Sequence, residues 1–320
     1  MLSRVADNLY WLSRYLERAE HMARVLDVNL QRMLEQDAES ASRRWDRLLR
    51  SLRISTVRVA SRDPYEVTRA LAFDATSVES IVSCVAAARE NARQVREQIS
   101  SEMWEQINRL YLQMRSVQFD TIWQGEPHRF FREVIMGSHL FEGITDSTMT
   151  HGEGWLFVQV GRYIERAQAT AVLLDVSLRD LGEGSDQSPR VDDYYEWISL
   201  LKSCTAFEAY CRQYTADLRP DRIAEFLLLN AEFPHSVHFA AIEVQKGLEA
   251  ISAPISGRLV ARVNRLAGRL RAQLGFGQID EILAGDIHAY LTDIQRQCAQ
   301  IEAAVRHAFV AYPIETALAS

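Results

Sequence analysis

Apolar or small residues recur at Leu2, Val5, Leu9, Leu12, Leu16, Ala19, Ala23, Leu26, Leu30 and Met33, alternating steps of three and four with no interruption. That spacing predicts one long helix carrying a packing seam. The same rhythm returns at Phe157, Val160, Ile164, Ala167, Ala171, Leu174 and Leu178, each 148 positions beyond its counterpart.

The two stretches also agree in identity. Arg14-Tyr15-Leu16-Glu17-Arg18-Ala19 matches Arg162-Tyr163-Ile164-Glu165-Arg166-Ala167, and Leu26-Asp27-Val28 matches Leu174-Asp175-Val176. Further on, Trp45, Leu48, Leu49 and Ser51 align with Trp197, Leu200, Leu201 and Ser203. Val67, Leu71, Ser80 and Ile81 then align with Ile223, Leu227, Ser236 and Val237. The drifting offset is what small loop insertions produce. The expected architecture is all-α: a multi-helix antiparallel bundle built from two diverged copies of one unit, with approximate internal two-fold symmetry. Copy one covers about 1–150 and copy two about 151–313, forming one domain, with a C-terminal tail at 314–320. A 30-residue helix is about 45 Å long, more than the roughly 38 Å diameter of a compact 150-residue body. The seam helices are therefore expected to lie together in a single body.

Asp63-Pro64 and Arg219-Pro220 place proline where a helix begins. Ser77 to Ile99 reads as a helix with Val78, Ile81, Val82, Val85 and Ala88 on one face, followed by an N-cap signal at Ser100-Ser101-Glu102. The last long helices are expected from Pro254 to Leu274 and from Asp280 to Phe309. Gly182 to Pro189 reads as the one loop-like stretch, and no strand alternation stands out.

Only 14 Gly and 7 Pro occur in 320 residues, consistent with long uninterrupted elements. A net charge of −7 argues against a dedicated nucleic-acid binder. No apolar run suffices for a membrane span, and the N-terminus carries Arg4, Asp7, Arg14 and Glu17 where a signal peptide would be apolar. A cytoplasmic, soluble protein is expected, with no membrane partner. Cys84, Cys204, Cys211 and Cys298 form no C-x-x-C pair and read as reduced core thiols. Of the 36 basic residues only Lys202 and Lys246 are lysines. Two arginine stripes result, one at Arg43, Arg44, Arg47, Arg50, Arg53, Arg58 and Arg62, the other at Arg258, Arg262, Arg265 and Arg269. Neither is interleaved with aromatics that would stack on bases, so both read first as solvated faces.

The candidate chemistry sits in the repeat. Arg14, Glu17 and Arg18 share a helical face at i, i+3 and i+4, and Arg162, Glu165 and Arg166 repeat it. Their role is open: an ion-pair network that sets the helix crossing, a cleft acid or base, or a partner surface. Only the first copy adds Glu20, His21 and Arg24. Glu17, Glu20 and His21 resemble the ligands of a di-metal bundle, but the second copy lacks the His that such a site takes from further helices. No metal or cofactor is therefore expected. His139, Glu142, His151 and Glu153 are further cleft candidates, in a segment dense in His, Glu and Gly that also reads as a helix end, a turn and a new acidic start. No nucleophile elbow or phosphate-binding glycine loop occurs, so no catalytic residue is assigned.

The doubled Arg-Tyr-(Leu/Ile)-Glu-Arg-Ala, with Ala88-Arg89-Glu90-Asn91-Ala92-Arg93 running into Ser101-Glu102-Met103-Trp104-Glu105, and Gly152-Glu153-Gly154-Trp155 ahead of the second copy, resembles the bacterial alpha-E family. The likeness extends to about Tyr312. It implies a helical domain in tandem duplication whose Glu-Arg motif falls on Glu17-Arg18 and Glu165-Arg166. It also implies a genomic setting beside circularly permuted ATP-grasp ligases, transglutaminase-like proteins and a proteasome-related peptidase, in a peptide synthesis or modification system. The expectation is a non-catalytic helical accessory that binds the ATP-grasp ligase or its peptide substrate, with a transglutaminase-like protein as a further partner. The alternative is an enzyme on a peptide or amino acid that uses Glu17, His21 and the His139–Glu153 segment.

Overall fold

A computed structural model describes residues 1, 3–32, 38–54, 59, 61–182, 191–215, 217–255 and 257–310. Among these the protein is all-α, with fifteen α-helices and a closing π-helical turn at Arg306–Val310. The helices are α1 Ser3–Gln31, α2 Ala38–Ser51, α3 Pro64–Phe73, α4 Ile81–Gln94, α5 Ser101–Arg115, α6 Phe119–Gln124, α7 Pro127–Thr148, α8 Glu153–Gly182, α9 Val191–Ser203, α10 Phe207–Tyr214, α11 Pro220–Leu229, α12 Val237–Ser252, α13 Arg258–Gly275, α14 Ile279–Ala284 and α15 Ile287–Val305.

The two seam helices are α1 and α8, and they pack along each other. Helix α1 also lies on α4 and α7, with α5 closing that group, while α8 lies on α12 and α15, with α13 closing the other. Helix α2 leans on α8 and α9 on α1, so each group reaches over the other's seam helix. The seam positions Leu9, Leu12, Leu16, Ala19, Ala23 and Leu26 are buried, as are Phe157, Val160, Ile164, Ala167, Ala171 and Leu174. Trp45 and Trp197, aligned in the sequence, are both core residues. Leu2 and Met33, the outer seam positions, fall outside the described residues, as do Arg58 and the 183–190 stretch.

Helices α1 and α8 approach closely at Gly161. A Cβ there would lie 2.3 Å from Ser13 Oγ and 2.4 Å from the Tyr10 carbonyl oxygen. Ser13 is the residue 148 positions before Gly161, so the two stretches meet at matching positions, one residue ahead of Arg14 and Arg162.

Several helix starts follow the sequence. Asp63 caps α3 by accepting from Glu66 N at 3.2 Å, and Ser100 caps α5 by accepting from Met103 N. Ser80 and Ser236 cap α4 and α12 in the same way, through Ser83 N and Phe239 N. Helix α2 ends with Arg53 at φ 58 and Ile54 N donating to Leu49 O; α9 ends with Thr205 at φ 51 and Ala206 N donating to Leu201 O. Both are the left-handed helix stop with its 6→1 bond.

Three expected boundaries differ. The Ser77–Ile99 helix is confined to α4, because the Ser80 cap starts the helix after a turn; Val78 is exposed. The Pro254 helix begins at Arg258, after Gly257 in an open backbone conformation. The Asp280–Phe309 helix is broken at Gly285-Asp286, because the Asp286 carboxylate accepts from Ala289 N and starts α15 anew. The π-helical turn then replaces the end of α15.

Candidate functional site: a reciprocal Glu-Arg exchange

Arg14, Glu17 and Arg18 project from α1 toward α8, and Arg162, Glu165 and Arg166 project back. The carboxylates trade partners across the crossing. Arg166 donates from Nε and Nη2 to both oxygens of Glu17, at 2.6 and 2.7 Å. Arg18 donates from Nε and Nη2 to Glu165 at 2.7 and 3.1 Å, and Arg14 Nε donates to Glu165 Oε2 at 2.8 Å. Each Glu is thus held by arginine of the other stretch, in the fork-on-fork geometry that guanidinium and carboxylate favour.

Glu17 is 4% exposed, Glu165 8%, Arg14 2% and Arg166 7%. Burial alone would raise the Glu165 carboxyl, yet Arg14 and Arg18 bring it down to about 2. Burial also opposes the charges of Arg14 and Arg166. Tyr10, Glu165 and Glu302 nevertheless hold Arg14 above its usual value, and Glu17 does so for Arg166. The repeated tyrosine takes part too: Tyr163 lies under both Arg162 and Arg166, and Tyr15 under Arg18.

A second ring of carboxylates encloses the exchange. Arg14 Nη1 meets Glu302 at 2.5 Å, and Arg162 Nη1 meets Glu142 at 3.3 Å. Glu142 and Glu302 sit in α7 and α15 at matching places. Asp27 pairs with His128 Nδ1 at 2.7 Å, and Asp175 with His288 Nδ1 at 2.7 Å, each His being the second residue of α7 or α15. Glu302, His128 and His288 were not singled out in the sequence. Extending the drifting offset to 160 positions aligns Glu142 with Glu302 and His128 with His288, and that is the signal that marks them.

The first-copy residues cluster beside Glu17. Arg24 lies against the Glu20 carboxylate, and its Nη2 is 3.3 Å from His139 Nε2. His235, from the α11–α12 connection, joins them; its carbonyl accepts from Thr170 Oγ1, and the preceding Pro234 carbonyl from Arg166. Burial lowers the pKa of His21, His139 and His235 and brings Arg24 down to about 10. Glu17, His21, His139 and Glu142 therefore come together around Arg166 and Arg24. His151 and Glu153 do not join this cluster. His151 stacks on Trp155 at 4.2 Å, and Glu153 receives the N-terminal ammonium of Met1. The segment from Gly137 onward forms the C-terminal half of α7, ending at Thr148, then a turn, then the acidic start of α8 at Glu153, as its sequence reads.

Cys84, Cys204 and Cys298 are buried thiols pushed up to about 12 by burial, and all four cysteines are free. The first arginine stripe is only partly a solvated face: Arg43, Arg50 and Arg53 are exposed, but Arg44 and Arg47 bind Glu196, and Arg47 and Arg50 bind Asp180. Arg258, Arg262, Arg265 and Arg269 are exposed. Among the described residues no helix is long and apolar enough to cross a membrane.

A family described as a predicted alpha-helical domain with a conserved ER motif matches residues 1–310. The chain belongs to the alpha-E family. Glu is followed by Arg at two places in the sequence, Glu17-Arg18 and Glu165-Arg166, so the alpha-E motif of this chain is the reciprocal exchange just described. Similar to it are uncharacterised proteins of Mycobacterium bovis and Mycobacterium tuberculosis, each 23% identical over 334 aligned residues that cover 91% of this alpha-E chain. The chain spans about a third of those relatives' length, 36%. No solved structure matches it.

Proposed function

We propose that this alpha-E chain is a non-catalytic helical accessory that binds an ATP-grasp ligase or the peptide on which that ligase acts. One observation carries the reading: the family's motif is occupied by itself. Both oxygens of Glu17 accept from Arg166, and those of Glu165 accept from Arg14 and Arg18. A carboxylate held at about 2 is a poor general base at neutral pH. A thiol near 12 is a poor nucleophile. The motif therefore suits a clamp that fixes how α1 and α8 cross, leaving the outer helices to present a surface. The relatives also support work alongside other polypeptide, because in them the matched region is joined to further sequence.

Co-purification of the chain with an ATP-grasp ligase tests this. A stable complex at micromolar concentration, with or without nucleotide, is the expected result. Its absence under both conditions, in a folded preparation, contradicts the proposal. The catalytic alternative draws on the cluster of Glu17, His21 and His139, and it requires Glu17→Gln to abolish turnover in a reconstituted pathway while the protein stays folded.

A further inference from the structure

Helix α13 gathers cations with no acid to meet them. Its 18 residues hold five arginines and neither Asp nor Glu. Arg258, Arg262, Arg265 and Arg269 fall at i, i+4, i+7 and i+11, opposite the buried Val263 and Ala267, so they point straight out over about 16 Å of helix. Among the described residues none of the four makes a hydrogen bond or an ion pair. Arg93, Arg129 and Arg219 are exposed too, yet each binds a nearby carboxylate.

The stripe works against its own helix. Like charges three and four residues apart weaken a helix, and Arg258 sits in the first turn, where the helix dipole favours an acid. The first stretch has no such stripe. At the offset of 160 the buried Met103 and Leu110 of α5 align with the buried Val263 and Leu270 of α13. The stripe then aligns with Gln98, Glu102, Glu105 and Arg109, a charge of −1 against +4.

Beside the stripe, the π-helical turn packs on α13 and adds the exposed Arg306 and His307. A groove of about 290 Å³ borders the stripe on the side facing α15, lined by Leu259, Arg262, Ala303, Ala304 and His307. Its floor is apolar and its edges are cationic. A guanidinium grips a carboxylate through two parallel N–H donors, and a helix with acids at i, i+4, i+7 and i+11 repeats the spacing of the four arginines. Nucleic acid fits less well. Ala261, Gly268 and Ala272, rather than aromatics, flank the arginines, so bases have nothing to stack on. Without these four cations the net charge of −7 becomes −11, which repels a long polyanion beyond the patch.

We propose that this face of α13 binds an acidic amphipathic helix of a partner polypeptide, with carboxylates on the four arginines and an apolar side chain in the groove. It rests on the accessory reading above and supplies the surface and the chemistry of the partner.

Fluorescence anisotropy of the full chain with a labelled alanine-based peptide of about 20 residues, carrying Glu at i, i+4, i+7 and i+11 and Leu beside them, tests it. At about 20 mM salt the peptide is expected to bind with a Kd below about 0.1 mM. At about 0.5 M salt it should bind about fivefold more weakly or worse, because exposed charges are then screened. Arg262→Gln/Arg265→Gln should weaken binding about threefold or more, and Ala303→Trp, which fills the groove, should weaken it as well. All three positions are exposed, so these variants stay folded. Arg109→Gln/Arg132→Gln, on the first stretch, should change nothing.

The proposal is overturned if the peptide does not bind at about 1 mM, if a peptide of the same composition with Glu spread around the helix binds as tightly, or if either α13 or groove variant leaves the affinity unchanged. It is equally overturned if an oligothymidylate of the same length or phosphatidylglycerol vesicles bind more tightly than the peptide. A dimer in sedimentation that Arg262→Gln/Arg265→Gln separates makes a second copy the occupant and overturns it too. A complex with an ATP-grasp ligase that survives this double variant, with no peptide binding, upholds the accessory reading and removes this one; peptide binding without any ligase complex does the reverse.

Discussion

Removing Glu17 probes the exchange most directly. Glu17→Ala leaves the Arg166 guanidinium, 7% exposed, without the two acceptors at 2.6 and 2.7 Å. What remains is Glu142 at 3.5 Å and the Pro234 carbonyl at 3.5 Å, both at the limit of a useful contact. Orphaning one member of a buried pair costs about 3–5 kcal/mol. Glu142 retains some attraction but is 26% exposed and partly screened, which places the expectation near 3 kcal/mol. For a chain of this size that corresponds to a fall in Tm of about 6 °C. Glu153→Ala is the control, since its bridge to the N-terminus lies at the surface and is worth about 0–1 kcal/mol. Urea denaturation of Glu17→Leu, Arg166→Met and the double variant completes a cycle. The double variant should recover most of the loss, with a coupling of about 2 kcal/mol or more, because removing both charges leaves nothing unpaired. A Glu17→Ala shift no larger than that of the control, or strictly additive single variants, would refute the clamp.

Further outcomes are expected. Glu165, with its folded pKa about 2 against 4.5 unfolded, contributes stability that is complete above pH 4.5 and lost as pH falls toward 2. His21, His139 and His235 have lowered folded values, so the unfolded chain binds more protons below about 6.5 and stability already declines as pH falls below that point; Tm against pH should show both limbs, and His235→Gln should blunt the upper one. Gly161→Ala should destabilise by about 3 kcal/mol or more, measured by urea melts, because its methyl meets the Tyr10 backbone at 2.4 Å rather than a yielding side chain. Ser80→Ala and Ser236→Ala should each cost about 1 kcal/mol through loss of an N-cap, in the same assay.

The helices legible in the sequence are those whose start and face are encoded locally. The seams of α1 and α8 repeat every three to four residues, and Asp63, Ser100 and Pro220 sit where capping chemistry places them. The break at Gly285-Asp286 escaped because the apolar rhythm of Leu283, Ile287, Leu291 and Ile294 runs through it, and only the Asp286 side-chain bond to Ala289 N ends one helix and starts the next. Glu17, Glu165 and their arginines were marked by repetition, but which Arg holds which Glu was not. Spacing puts Arg14 and Arg18 within reach of Glu17 on one helix face, whereas the crossing at Gly161 brings Arg166 closer to its carboxylate.

That crossing accounts for which residues the two stretches share. A reciprocal contact cannot lose one side cheaply: without Glu17 the buried Arg166 keeps only contacts at 3.5 Å, and without Glu165 Arg18 loses its carboxylate while Arg14 is left with Glu302 as its only one. Asp27–His128 with Asp175–His288, and Arg162–Glu142 with Arg14–Glu302, are held in the same paired manner. Residues one turn away, such as Glu20 against Gln168, His21 against Ala169 and Arg24 against Val172, make no exchange across the crossing and have diverged. A shared motif then marks the mechanical centre of the fold. The residues that differ beside it decide which side is filled by protein and which is left open.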